Sequence, residues 1–300
     1  MRIRTAFLAA ATIAALAPPA FAAQNITKRA AVAADAAVDV SNVQGRVDVT
    51  AWDRNEVELL AVLESDKDTL EFVASEREVR IEVRRPERHK HWDGEDDDAN
   101  LTLRVPKGVR LAVSTVSADI GVSGVRGEQR LNTVSGDLRT QAFDESVSTR
   151  SVSGDITLSG QGGKGAVSTD NVSGSSVVTG IRGAYDGGAV SGDIDVSIAA
   201  AERLNAKTVS GDLRANAELT SAARVSLGSV SGEISLAIKP PVNAEIEADS
   251  FSGDIESCFG AQARSKSKYG PGKELRHTQG SGGARVYVKT LSGEISLCDR

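Results

Sequence analysis

The chain has 300 residues, with 35 Lys and Arg against 41 Asp and Glu, for a net charge of −6. An acidic balance of this kind leaves no electrostatic footprint for nucleic acid. Only 4% of the residues are aromatic while 29 are Gly, which argues against a conventional aromatic-filled core and suits a thin structure of turns and small β-forming residues.

In chain order, residues 1–22 read as a secretory signal peptide. Arg2 and Arg4 give a positive start, Ala6 to Leu16 form a short apolar run, and Ala20-Phe21-Ala22 offers an A-x-A cleavage site after Pro18 and Pro19. The run is too short to span a bilayer, and no later run approaches the roughly 20 residues a spanning helix needs. The mature chain is expected to begin at Ala23, without a transmembrane segment. Removing the leader takes away two arginines and no acids, leaving a net charge of −8.

Residues 23–110 are less regular and are read as N-terminal β coils and a cap, with one loose repeat copy, VQGRVDV, starting at Val43. They contain an acidic segment at 84–100, RRPERHKHWDGEDDDAN. His89 and His91 can face one way on a strand beside Asp93 to Asp98, as a loose metal site would require. The same Pro-, Gly- and charge-rich composition also describes a solvated loop.

From residue 111 a repeat dominates. TVSGDLR occurs at 133–139 and returns at 208–214. The Val of this motif falls at Val116, Val134, Val152, Val172, Val190, Val209 and Val230, and Phe251 and Leu291 then take its place. Periods near 20 without a helical pattern indicate a solenoid. Counting the Val as position zero, positions zero, two, four and six read Val, Gly, Ile or Leu, and Val or Leu, alternating with small polar or charged residues, so the motif predicts a strand with that set buried. A second alternating strand of opposite phase leads into it, as in Val225 and Leu227 or Val286 and Val288, so a bend or bulge is expected at the junction. The predicted fold is all-β, a parallel β-helix-like solenoid of about 18–21-residue coils stacked about 4.8 Å apart. NVSGSSVV at 171–178 departs from the pattern.

Two features of the motif call for a physical reason. Gly at position two lets the backbone bend tightly or the coil stay narrow. The acids at position three, Asp119, Asp137, Asp155, Asp193, Asp212, Glu233, Asp254 and Glu294, form a ladder if the coils align. Like charges at strand spacing repel, so the ladder must gain from water, from turn N–H groups or from a cation such as Ca2+. Local Asx-type bonding and a cation- or glycan-binding face are the two readings.

The last two copies are 40 residues apart, with a basic segment, ARSKSKYGPGKELRH, at 263–277. The segment from about 260 to 283 lacks apolar alternation and is read as an exposed loop or as a contact for anionic envelope polymers. Cys258 and Cys298, the only cysteines, each lie seven residues after the start of a motif copy. If a loop fills the gap, the two occupy adjacent rungs about 4.8 Å apart, within the Cα range of a disulfide. An exported chain also meets an oxidising compartment.

The serial VSGDI and VSGDL strands, with LTLRVPKGVRLAVSTVSADI at 101–120 and GSGGARVYVKTLSGEISL at 280–297, resemble a bacterial exported β-strand-repeat family whose members carry adhesin as a provisional name. The resemblance spans roughly residues 38–298 and implies the β-strand-repeat fold; it brings no catalytic residues. The sequence contains no G-x-S-x-G elbow, HExxH or Walker-type loop, and its acids are spread one per coil, so no enzyme and no cofactor are expected. The function read from the sequence is an adhesive or structural surface in the periplasm or on the cell surface, meeting an envelope glycan or a protein partner. The alternatives are an accessory of an envelope signalling system and a carbohydrate-active β-helix.

Overall fold

The computed structural model describes residues 23–85, 98–267 and 271–299. The expected leader at 1–22, His89, His91 and most of the acidic segment at 84–100 lie outside these residues. Among the described residues there are 22 strands and no helix.

The repeat folds into two stacks of parallel strands. One holds the strands that lead into the motif, such as Gln129–Thr133, Val147–Ser151 and Val167–Asn171. The other holds the strands that follow it, such as Leu138–Ala142 and Ile156–Gly160. Val147 lies opposite Gln129 on one side and Val167 on the other, and Ile156 lies between Leu138 and Ser176. Equivalent residues of successive copies therefore stack. Beyond residue 176 the turns between coils become bulged β-structure, and Ser176–Ala189, Ile194–Ser210 and Leu213–Ser231 each run from one stack into the other.

The interior is built from small aliphatic residues, as the composition requires. Leu213, Ala215, Val225, Leu227, Ile234 and Leu236 are buried together. Among the described residues Tyr185 is the largest fully buried side chain, and its hydroxyl lies 2.7 Å from Thr169 Oγ1. Burial pushes the Tyr185 phenol up to about 12.

One expectation is corrected at the motif itself. Position zero does not face the interior: its residues are exposed, from 41% at Val152 to 58% at Phe251. The inward residue is the one before it, a buried Thr133, Ser151, Asn171, Thr208, Ser229, Ser250 or Thr290. Position zero is thus the last outward residue of the lead-in strand, and the following Ser also points outward. These two successive outward residues are the phase change between the strands. In three rungs the buried polar side chain braces the corner, with Gly136, Gly154 and Gly174 N–H donating to Thr133 Oγ1, Ser151 Oγ and Asn171 Oδ1 at 2.9–3.1 Å. In later rungs the glycine N–H turns to the neighbouring rung instead, as Gly232 donates to the Ser292 carbonyl at 3.2 Å. Thr208, Ser229 and Thr290 hydroxyls then find no partner among the described residues.

The glycines form a column in which each backbone rests on the next. A Cβ on Gly154 would sit 1.9 Å from the Gly136 carbonyl oxygen, and one on Gly192 would sit 1.8 Å from that of Gly174. No side chain fits at such separations.

Both ends of the solenoid depart from chain order. At the C-terminal end Ala284–Ser292 pairs with Leu213–Ser231 on one side and with Ala244–Ser252 on the other. The final segment is therefore inserted below the rung that precedes it in sequence. The glycine column records the same order, since Gly293 abuts Gly232 and Gly253 abuts Gly293. At the other end Ala37–Trp52 lies between Arg110–Ser123 and the later strands Glu78–Arg84 and Ala99–Pro106. Antiparallel strands cover the outer rungs: Thr69–Ala74 on Glu78–Arg84, Glu56–Leu63 on Ala99–Pro106, and Lys273–Gln279 on Ala244–Ser252. Glu58, almost fully buried, ties one of these caps together by ion pairs to Arg29 at 2.7 Å and Arg104 at 3.4 Å.

The segment from about 260 to 283 is consequently more than a loop, because it supplies the strands Arg264–Ser265 and Lys273–Gln279. Its cations add ion pairs to the backbone ladder by which it docks. Lys266 pairs with Asp249 at 2.8 Å, Arg276 with Glu247 at 3.1 Å, and Lys273 with Asp254. Cys258 and Cys298 form a disulfide across the two exchanged rungs, with Cα atoms 4.8 Å apart. The bridge fastens the outermost rung to the chain end, so the C-terminal segment is not itself the outermost rung.

Two measurements check this account. Gly154→Ala should cost about 1–3 kcal/mol or more in denaturant unfolding because backbone must move, while the neighbouring exposed Ser153→Ala should stay within about 0.5 kcal/mol. Thiol titration of the denatured, unreduced protein should find no free thiol. Replacing both cysteines by serine should lower stability by about 4 kcal/mol in the chain-entropy description.

Candidate functional site

The corner between the two stacks presents three parallel columns to solvent: the apolar residues of position zero, the serines of position one and the acids of position three. Their geometry follows from the glycine between them. Because that residue lies backbone to backbone with its neighbour, the flanking columns are held in register from rung to rung.

The acids are engaged with the backbone of the next rung. Asp119 Oδ1 accepts from Asp137 N–H at 2.9 Å, Asp137 from Asp155 at 3.1 Å, and Asp155 from Ser175 at 2.9 Å. Ser175 has no carboxylate to continue the series, and the irregular copy at 172 thereby splits the ladder. It resumes with Asp193 accepting from Asp212 at 2.8 Å and Asp212 from Glu233 at 3.1 Å. Arginines neutralise part of the charge, with Arg46 on Asp119 at 3.5 Å, Arg139 on Asp137 at 3.2 Å and Arg214 on Asp212 at 2.9 Å. Asp254 pairs with Lys273. Glu294 belongs to the inserted C-terminal rung and so stands next to Glu233 in the stack, its carbonyl accepting from Ile234 N–H at 2.9 Å. The bonds run between rungs and are not confined to one bend, which answers the repulsion between like charges: one oxygen of each bonded aspartate meets an N–H donor.

Among the described residues no three His, Cys, Asp or Glu side chains converge as a metal ion would require. The position of His89 and His91 lies outside those residues.

The apolar column is the feature that sequence reasoning placed on the wrong face. In stacking order it runs Val116, Val134, Val152, Val172, Val190, Val209, Val230, Leu291 and Phe251, every member more than 40% exposed. Isolated apolar residues on a surface are ordinary, whereas these nine stand in line on successive rungs. Beside it, Val152, Val172 and Val190 border a shallow depression of about 380 Å³, floored in part by Gly188 and edged by Arg150, Asp170 and Lys207. The signal that could have revealed the column is the preceding residue: a Thr, Ser or Asn, replaced by Ala only before Val190, serves as the buried corner residue and leaves the Val outside.

The family model Toastrack DUF4097 matches residues 36–298 of the chain. No curated protein matches it. Among solved structures, the chain is similar to a provisionally named adhesin from Bacteroides fragilis, at 12% identity over 91% of this chain and 97% of the other, with a TM-score of 0.36. It is also similar to a provisionally named lipid binding protein from Parabacteroides distasonis, at 11% identity over 92% and 96% of the two chains, with a TM-score of 0.39. A provisionally named cell adhesion protein from Clostridium sporogenes shares 7% identity over 92% and 100%, with a TM-score of 0.25. Among the described residues no helix is long and apolar enough to cross a membrane.

The ladder is open to direct test. Asp155→Ala should lower stability by about 1 kcal/mol through the lost bond to Ser175 N–H, whereas Asp155→Asn keeps an acceptor oxygen and should change little. Thermal melts with calcium and with chelator should coincide for the parent protein; a rise with calcium that chelator reverses would assign the ladder to the ion.

Proposed function

The chain belongs to the Toastrack DUF4097 family, and on that premise we propose that it is an exported, non-enzymatic protein of the bacterial envelope whose solenoid serves as an adhesive binding surface. The surface is built from coils of about 18–21 residues, a length taken from the spacing of the motif. The apolar column at position zero is its contact line, and its occupant is a protein partner.

The observation that carries this reading is the exposure of nine large apolar residues in one line. Leaving apolar area in water forgoes a stabilisation of about 25 cal/mol per Å², and the fold forgoes it at every motif copy while burying a small, in most copies polar, residue beside it. A partner that covers the column recovers the difference. The non-enzymatic reading is supported by the acids, which are distributed along the stack and bonded to backbone N–H groups instead of being gathered at a cleft. The leader at residues 1–22 supports export. The accessory of an envelope signalling system is the second form of the same reading, since it too acts by holding a protein through this surface.

Capture from an envelope extract tests it. The immobilised mature protein should retain a partner that is lost when Val152, Val172 and Val190 are all replaced by serine, with circular dichroism unchanged. Retention of the same partner by the triple variant, or capture of nothing, would reject the contact line. Release of reducing ends from envelope polysaccharide by the purified protein would reject the non-enzymatic assignment.

A further inference from the structure

A second surface lies on the outward face of the lead-in stack near its C-terminal end. Four strands that are far apart in sequence lie side by side there: Leu213–Ser231, Ala284–Ser292, Ala244–Ser252 and Lys273–Gln279. Their registers place Arg224, Arg285, Glu245 and Thr278 in one row across the sheet. Two residues further on, Ser226, Tyr287, Glu247 and Arg276 form the next. A shallow depression of about 460 Å³ lies over these rows.

The charges in the first row are poorly balanced. Elsewhere on this face an arginine meets an acid on the adjacent rung, as Arg150 meets Asp170 at 3.3 Å and Arg203 meets Asp186 at 2.7 Å. Arg224 stands between Arg203 and Arg285, cation against cation on both sides, and has no ion pair among the described residues. Arg285 reaches Glu245 only at 4.0 Å. Like charges directly opposite on neighbouring strands destabilise a sheet, and here they do so in a protein whose overall charge is negative. Such an arrangement gains from an anion. The remaining lining narrows the choice of anion. Tyr287 offers a partly exposed ring on the same face, while Glu245, Glu247 and Thr278 add hydrogen-bond acceptors.

We propose that this depression binds an acidic sugar. Its carboxylate lies on Arg224 and Arg285, which suit a planar bidentate partner. A face of the sugar ring packs on Tyr287, and its hydroxyls donate to Glu245 and Glu247. The two glutamates supply the acceptors that sugar hydroxyls need, which a polyphosphate or an anionic bilayer does not use. No short motif could announce the site, because its residues come from four separate strands and meet only through the exchange of the last two rungs. The site shares no residue with the apolar column, so either can fail without the other.

Calorimetric titration of the mature protein with trigalacturonate tests the proposal, alongside neutral galactotriose, inorganic phosphate and phosphatidylglycerol vesicles. Trigalacturonate should bind, and the neutral sugar should bind at least about tenfold more weakly, the size expected for one charge-assisted contact. Arg224→Gln and Tyr287→Ala, both at exposed positions, should each weaken trigalacturonate by about tenfold or more, while Arg54→Ala should leave it unchanged. Absence of binding, equal affinity for the neutral sugar, or affinity indifferent to Arg224→Gln would overturn it. Vesicle or phosphate binding that matches trigalacturonate and is lost in Arg224→Gln would give the site to anions in general and overturn the sugar assignment.

Discussion

The structure depends on the contact between glycine backbones at the corner of each rung. With carbonyl oxygens seated where a Cβ would otherwise stand, neighbouring rungs are locked together in height and in register at one line. Everything outside that line inherits the register. The aspartates reach the next N–H because they directly follow the fixed glycine, and the apolar residues align because they stand two residues before it. A single close contact, repeated, thereby converts a short sequence motif into three aligned columns, the acid one interrupted at Ser175.

Much of this was legible in the sequence. The period, the strand alternation, the need for glycine and the phase change between strands all follow from residues that recur at fixed offsets. The facing of position zero did not follow, and the reason is physical. Period-two alternation gives the relative facing of residues within a strand but not where one strand stops. Val134 is as compatible with the start of the motif strand as with the end of the lead-in strand. Thr133, an unusual inward residue, settles the question only once its bond to Gly136 N–H is known. Hydrophobicity alone pointed the other way.

The two ends show a different limit. The equivalent motif places of Cys258 and Cys298, with the lack of apolar alternation in the gap between them, led to adjacent rungs, because register is written in the motif. The order of the rungs is not written there. Leu291 and Phe251 read alike as position-zero residues in either arrangement, and in the one adopted the basic segment lies on the outer rung. Its lysines and arginine find Asp249, Asp254 and Glu247 on the outer strand, and it lies down antiparallel as an edge cover. Short parallel strands end in open hydrogen-bonding groups that invite another chain, and here a charged antiparallel strand occupies the place. The antiparallel caps at the opposite end do the same work with Glu58 as their anchor.

The exchange of rungs also governs how such a molecule can change in length. A solenoid that ended on its first and last repeats could gain or lose rungs at either terminus by simple addition. In this chain each end is a closed unit in which a later and an earlier segment interleave, so an added terminal repeat has no free seat. Growth is confined to the serially stacked stretch between Arg110 and Ile238, where one repeat more or less preserves both ends and lengthens the stack by a single step. The molecule is in that sense a ruler with fixed end-pieces, and its reach is a quantity that duplication of an internal copy can adjust without disturbing its ends.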